Sequence, residues 1–219
     1  MNEKPKNQPL SLKTIGVVFL GSALIAGAII FVALYFLLKP EPLQPYYLEG
    51  NPEGVRELSQ ARDVLDFTLP STLGTEVSLS DFRGQSVVLF FGYTHCPDVC
   101  MITMSDVRRV EDLLGDDSGS VQFIFVSVDG ERDTPERLSE FLVPFGLTEA
   151  VIGLQGEDVV LQRLRPDYSL FYQLNTDEGD NYTVDHTASL YLINPEGQLS
   201  TIFAYGTRPD IIAEHILTD

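Results

Sequence analysis

The 219-residue chain has two cysteines, Cys96 and Cys100, set four apart in the run Gly92-Tyr93-Thr94-His95-Cys96-Pro97-Asp98-Val99-Cys100. Positions i and i+4 share one face of a helical turn, so the two sulfurs can hold one soft metal ion or close a disulfide. A cysteine at a helix N-terminus feels the positive end of the helix dipole and is drawn toward thiolate. Asp98 pulls the other way, because a carboxylate beside a thiolate disfavours ionisation. Two thiolates and one neutral donor suit Cu(I), and imidazole accepts copper in either oxidation state. The chain has three histidines. His95 adjoins Cys96, but the sequence neighbour of a ligand often points away from the metal. His215 stands among Ile211, Ile212 and Ile216 and reads as structural. His186, in Val184-Asp185-His186-Thr187 just before a strand, is the third candidate ligand, with Asp185 or a backbone carbonyl to orient its ring. A purely structural disulfide is disfavoured, because closing so short a loop constrains the unfolded chain little.

These residues need a scaffold. Val87 to Tyr93 is an unbroken apolar run, as a buried central strand requires. Pro97 suits the first turn of a helix with Cys96 at or near its cap, running to about Leu114 and ended by Gly115-Asp116-Asp117-Ser118-Gly119. Val121 to Val128 is a second buried strand, and Asp133-Thr134-Pro135-Glu136 starts a helix reaching about Phe145. A hairpin is expected from Asp66–Leu69 and Glu76–Leu79, and a second from Ser189–Ile193 and Leu199–Tyr205. Val151–Leu154 reads as a short strand, Asp158–Leu164 as a short helix stopped near Pro166, and Pro209–Leu217 as a closing helix. Tyr168 and Tyr172 read as packing residues. This order predicts an α/β fold, a mixed sheet flanked by helices.

Ahead of this domain, Ile15 to Leu38 carries no charge and would span about 36 Å as a helix, enough to cross a bilayer with some tilt. Lys4, Lys6 and Lys13 precede it, while Glu41, Glu49 and Glu53 follow, so the expected topology is single-pass with the N-terminus cytoplasmic. The expected division is a cytoplasmic tail 1–14, an anchor 15–38, a proline-rich linker 39–60 and a domain 61–219 outside the cytoplasm, where disulfides persist. A net charge of -18 excludes nucleic acid as a partner and favours cations or basic proteins.

The Cys96–Cys100 run, Ser127-Val128-Asp129-Gly130-Glu131-Arg132-Asp133-Thr134-Pro135, Val184-Asp185-His186-Thr187 and Tyr191-Leu192-Ile193-Asn194-Pro195-Glu196-Gly197 together resemble the SCO/SenC family from about Asp66 onward. The resemblance implies a thioredoxin-like fold, copper held by Cys96, Cys100 and His186, and a role in assembling cytochrome c oxidase. The implied client is the binuclear copper centre of an oxidase subunit, supplied by an upstream copper carrier or served by a thiol reductase. Met101 and Gly130 depart from the family, which commonly has proline at both positions. Met101 is expected to pack on the sheet rather than lend its thioether, and Asp133 and Thr134 to act as helix caps.

Three activities compete. A copper chaperone needs all three ligands. A thiol-disulfide oxidoreductase needs the cysteines alone. It is weakened by a spacing one residue longer than the thioredoxin C-x-x-C, and by the lack of proline between Asp180 and Leu190 where thioredoxins carry one. A peroxidase, suggested by the Asp66-Phe67-Thr68-Leu69 start, ranks behind both.

Overall fold

In a computed structural model, residues 53–218 are described. The tail, the Ile15–Leu38 span and most of the linker lie outside them. Among the described residues, no helix is long and apolar enough to cross a membrane. In chain order the strands are β1 (Val55–Asp63), β2 (Thr68–Pro70), β3 (Glu76–Ser78), β4 (Ser86–Gly92), β5 (Val121–Ser127), β6 (Val151–Leu154), β7 (Tyr172–Asn175), β8 (Thr183–His186), β9 (Leu190–Ile193) and β10 (Gln198–Phe203). The helices are α1 (Val99–Leu114), α2 (Pro135–Leu142), α3 (Asp158–Tyr168) and α4 (Pro209–Thr218).

Every residue of β4 is buried, as its unbroken apolar run requires. Around it forms a six-stranded sheet in the order β1-β10-β9-β4-β5-β6. Strands β4, β5 and β6 run parallel, while β9, β10 and β1 each oppose their neighbour. The parallel half needs crossovers, which α1 and α2 supply. Side chains alternate across the sheet. Phe125 stacks on Phe141 of α2, and Phe203 meets His215 of α4. On the opposite face Phe91 and Tyr191 pack against Tyr168 of α3. Tyr168 is therefore a packing residue, and Tyr172 is buried with its hydroxyl on Asp158. Two small two-stranded sheets lie apart from the main one, β2-β3 and β7-β8.

The mixed sheet and both expected hairpins are present, and four details differ from the sequence reading. Strand β1 begins at Val55, inside the stretch read as linker. It is an edge strand whose side chains are mostly exposed, so it lacks the alternation that marks a half-buried strand. Helix α3 passes through Pro166 to Tyr168. A proline so near the C-terminus removes one backbone bond, and burial of Tyr168 holds the last turn. Left-handed Ser169 then closes it, its N–H on the Arg165 carbonyl. Asp98, not Cys96, is the cap residue of α1. The β7-β8 ribbon had no counterpart in the sequence reading. Its two four-residue strands are half exposed and carry no strong periodicity.

Candidate metal centre

The site is built where β4 ends and α1 begins. Gly92 closes β4, and a Cβ there would lie 2.6 Å from Phe90, 2.7 Å from Phe125 and 2.9 Å from Cys100 Sγ. Glycine is what lets the helix seat Cys100 directly on the sheet. Cys100 is fully buried, and Cys96, in the turn before the helix, is 8% exposed. The Cys100 backbone N–H lies 3.4 Å from Cys96 Sγ. The turn is held from below by Asp133, a wholly buried carboxylate. It accepts from the Thr94 N–H at 2.8 Å, the Thr94 hydroxyl at 2.6 Å and the Ser127 hydroxyl at 2.7 Å. Thr134 caps α2 by accepting from the Arg137 N–H, as expected, whereas Asp133 does not cap that helix. Its partners lie up to 39 residues away, which local motif reading does not reach.

His186 ends β8 and faces the pair. Its Nε2 is 3.5 Å from Cys100 Sγ, and the donor atoms of Cys96, Cys100 and His186 all lie within 4.8 Å of one another. The Nδ1 atom is 3.0 Å from the Thr187 carbonyl oxygen. A carbonyl only accepts, so Nδ1 carries the proton and Nε2 offers its lone pair to the sulfurs. The ring is thus oriented by backbone, and Asp185 is exposed. Phe90 and Tyr93 stand edge-on to the imidazole at 6.1 and 5.6 Å. His95 is exposed, its Nδ1 3.1 Å from the Thr94 hydroxyl. His215 bridges the Ile211 carbonyl and Glu57. Neither belongs to the cluster.

The two thiols titrate apart. Hydrogen bonds from the Cys100 thiol and from the backbone N–H groups of Cys100 and Asp98 outweigh burial and lower Cys96 to about 3. The same thiol-to-thiolate hydrogen bond, with burial and the Cys96 charge, pushes Cys100 far above the ordinary thiol range. The pair therefore shares one proton, held on Cys100. Two soft sulfurs and a neutral imidazole nitrogen fit a soft monovalent ion in three-coordinate geometry.

A family model described as SCO1/SenC matches residues 55–218. The chain belongs to the SCO1/SenC family. The human mitochondrial SCO1 homolog is 30% identical to it over 217 residues, which is 97% of this chain and 68% of that protein. The human mitochondrial SCO2 homolog is 31% identical over 154 residues, 69% of this chain and 57% of the relative. The copper-bound structure of Bradyrhizobium japonicum ScoI superposes with a TM-score of 0.65 at 31% identity, covering 71% of this chain and 98% of that one. The fold is thus the thioredoxin-like one of SCO proteins.

Within this SCO1/SenC domain both departures have a local reading. Met101 is 42% exposed on α1 and does not pack on the sheet; Met104, three residues on, does, at 1%. The expected packing failed because Cys100, not Met101, occupies the inward face of the first turn. At Gly130 a Cβ would lie 2.0 Å from the Gly156 carbonyl oxygen. The loop after β5 sits against the loop after β6, leaving no room there for any side chain, proline included.

Proposed function

We propose that this chain carries one copper ion on Cys96, Cys100 and His186 and delivers it to the binuclear copper centre of cytochrome c oxidase. The observation that carries this reading is the convergence of two sulfurs and one correctly protonated imidazole within 4.8 Å. Family membership and the copper-bound relative support it. Copper is cargo here, Cu(I) in transit and Cu(II) as a second bound state. Cys100 is sealed under the helix, Cys96 is buried with a small exposed remainder, and His186 is half-buried. A client's ligands would therefore displace His186 and Cys96 first, and Cys100 last. The hydrophobic segment Ile15–Leu38 would tether the domain outside the cytoplasm, within reach of a membrane-bound oxidase.

The unequal thiols favour a second reading, reduction of the client's cysteines. Cys96 thiolate attacks a client disulfide, giving a mixed disulfide and one client thiolate. Cys100 then loses its proton and attacks Cys96 Sγ, so the client leaves as a dithiol and this chain as the disulfide. Copper titration of the full chain and its His186→Ala variant separates the two. The chaperone reading expects one copper per chain, with a Cu(II)-thiolate absorption and EPR signature that shifts in the variant. Undiminished, unshifted binding by His186→Ala removes His186 from the site. Client reduction that survives His186→Ala, without copper, favours the second reading.

A further inference from the structure

The loop after β5 touches both halves of the site. Asp133 grips the cysteine turn, and four residues earlier Asp129 reaches the ribbon that carries His186. Asp129 is 3% exposed and accepts from the Tyr182 hydroxyl at 2.6 Å and from Arg132 Nε at 2.5 Å. The Arg132 guanidinium lies 3.5 Å over the Tyr182 ring and 6.0 Å from the Tyr93 ring, which itself stands edge-on to His186. Tyr182 immediately precedes β8, and His186 ends it. The open end, where His186 pairs with Tyr172, is closed within the ribbon by Thr187 on Phe171 and tied to α3 by Tyr172 on Asp158.

We propose that Asp129, Arg132 and Tyr182 form a latch that positions His186 over the cysteine pair, so that opening it withdraws the third ligand and loosens the ion. The geometry argues for this in three steps. The β7-β8 ribbon shares no ladder with the main sheet, so its placement depends on side chains. A two-stranded ribbon is marginal alone. The latch bonds are charge-assisted and partly buried, the class that contributes most per contact. The Asp129–Tyr182 and Asp129–Arg132 bonds join the three residues to one another, one step behind His186 and the sulfurs. They are positioning residues, reading through Tyr93 and the strand.

The inference rests on the copper reading above, and its test keeps the two separable. Four full-length chains are compared: wild type, Tyr182→Phe, His186→Ala and the double variant. Tyr182→Phe keeps the ring under Arg132 and removes only the hydroxyl. Copper binding is expected to weaken about tenfold, the scale for lost partners one step behind a ligand. The Cu(II) absorption and EPR spectra should move toward those of His186→Ala, and the double variant should match His186→Ala alone. In the copper-free chain, amide exchange at Thr183–His186 should quicken about tenfold while α1 stays protected. An unchanged spectrum and affinity in Tyr182→Phe, with His186→Ala altered, overturns the latch. So do fully additive losses in the double variant. If His186→Ala itself leaves copper unaltered, the copper reading fails instead, and the exchange measurement alone decides whether the latch holds the ribbon.

Discussion

Cys96 and Cys100 stand where a fully buried central strand meets a helix, and His186 on a two-stranded ribbon outside the main sheet. The cysteine turn grows out of β4, whose residues are all buried, and enters a sixteen-residue helix seated on the sheet. Asp133 ties that turn to β5 through three short bonds. The His186 ribbon is a separate pair of four-residue strands in which Tyr172 and Val184 are buried and the other side chains exposed or half-exposed. On the copper reading, two of the proposed ligands stand on the main framework and the third on the separate ribbon. If an ion is held and then given up here, the exchangeable ligand would be the one on the ribbon, since elements with fewer buried contacts open at lower cost.

The comparison breaks most visibly at Asp133. Replacing it by alanine strands the Thr94 N–H, the Thr94 hydroxyl and the Ser127 hydroxyl in the interior. At about 1–3 kcal/mol per unsatisfied buried donor, partly relieved by water, the expected loss is about 3–5 kcal/mol in urea unfolding of the copper-free chain. Tyr182→Phe, the matching lesion on the ribbon, should lose only about 1–2 kcal/mol. Equal losses would mean that ribbon and cysteine turn are equally part of the core.

The same contrast decided what could be read from the sequence. Val87–Phe91 announces a buried strand by composition alone, Thr134-Pro135 a helix start, and C-x3-C a paired thiol. Those signals are local, and the structure places each where it was expected. The bonds that complete the site are long-range. Thr94 to Asp133 and Tyr182 to Asp129 join positions 39 and 53 apart, and no residue type or spacing encodes them in one chain. The ribbon was missed because its strands are too short and too polar to show a period, and β1 because an edge strand owes its place to backbone pairing with β10. His186 was found without the ribbon, since ligand chemistry among three histidines leaves few choices.

A smaller effect sharpens the chemistry of the rigid half. With Cys96 lowered to about 3, its thiolate is fully formed at neutral pH, whereas an ordinary thiol near about 8.5 is not. Alkylation of Cys96 by iodoacetamide in the copper-free chain should stay flat as pH falls from about 8 to about 5, and decline only nearer its lowered value. The absolute rate will be modest, because nucleophilicity falls with basicity. Cys100, pushed upward and fully buried, should stay unlabelled throughout. Peptide mapping by mass spectrometry reads both sites. In Cys100→Ser the strongest cause of the lowering is weakened, so the Cys96 profile should move to higher pH. A rate that climbs tenfold per unit through neutrality in the wild-type chain would show that the two thiols do not share a proton as described.

The smallest effect is expected at His95, and it tests the comparison from the opposite side. His95 belongs to the rigid half by sequence, next to Cys96, yet its ring is exposed with Nδ1 on the Thr94 hydroxyl and 3.7 Å from Asp133. His95→Ala should change stability by about 0.5 kcal/mol at most and copper affinity by less than about twofold. Nitrogen hyperfine structure in the Cu(II) EPR spectrum gives the sharper readout: it should persist in His95→Ala and vanish in His186→Ala. The reverse result would place all three ligands on the cysteine turn and leave the ribbon with no part in holding the ion. Because the rings of His95 and His186 approach different partners, Thr94 and Cys100, one spectrum of each variant suffices to choose between them.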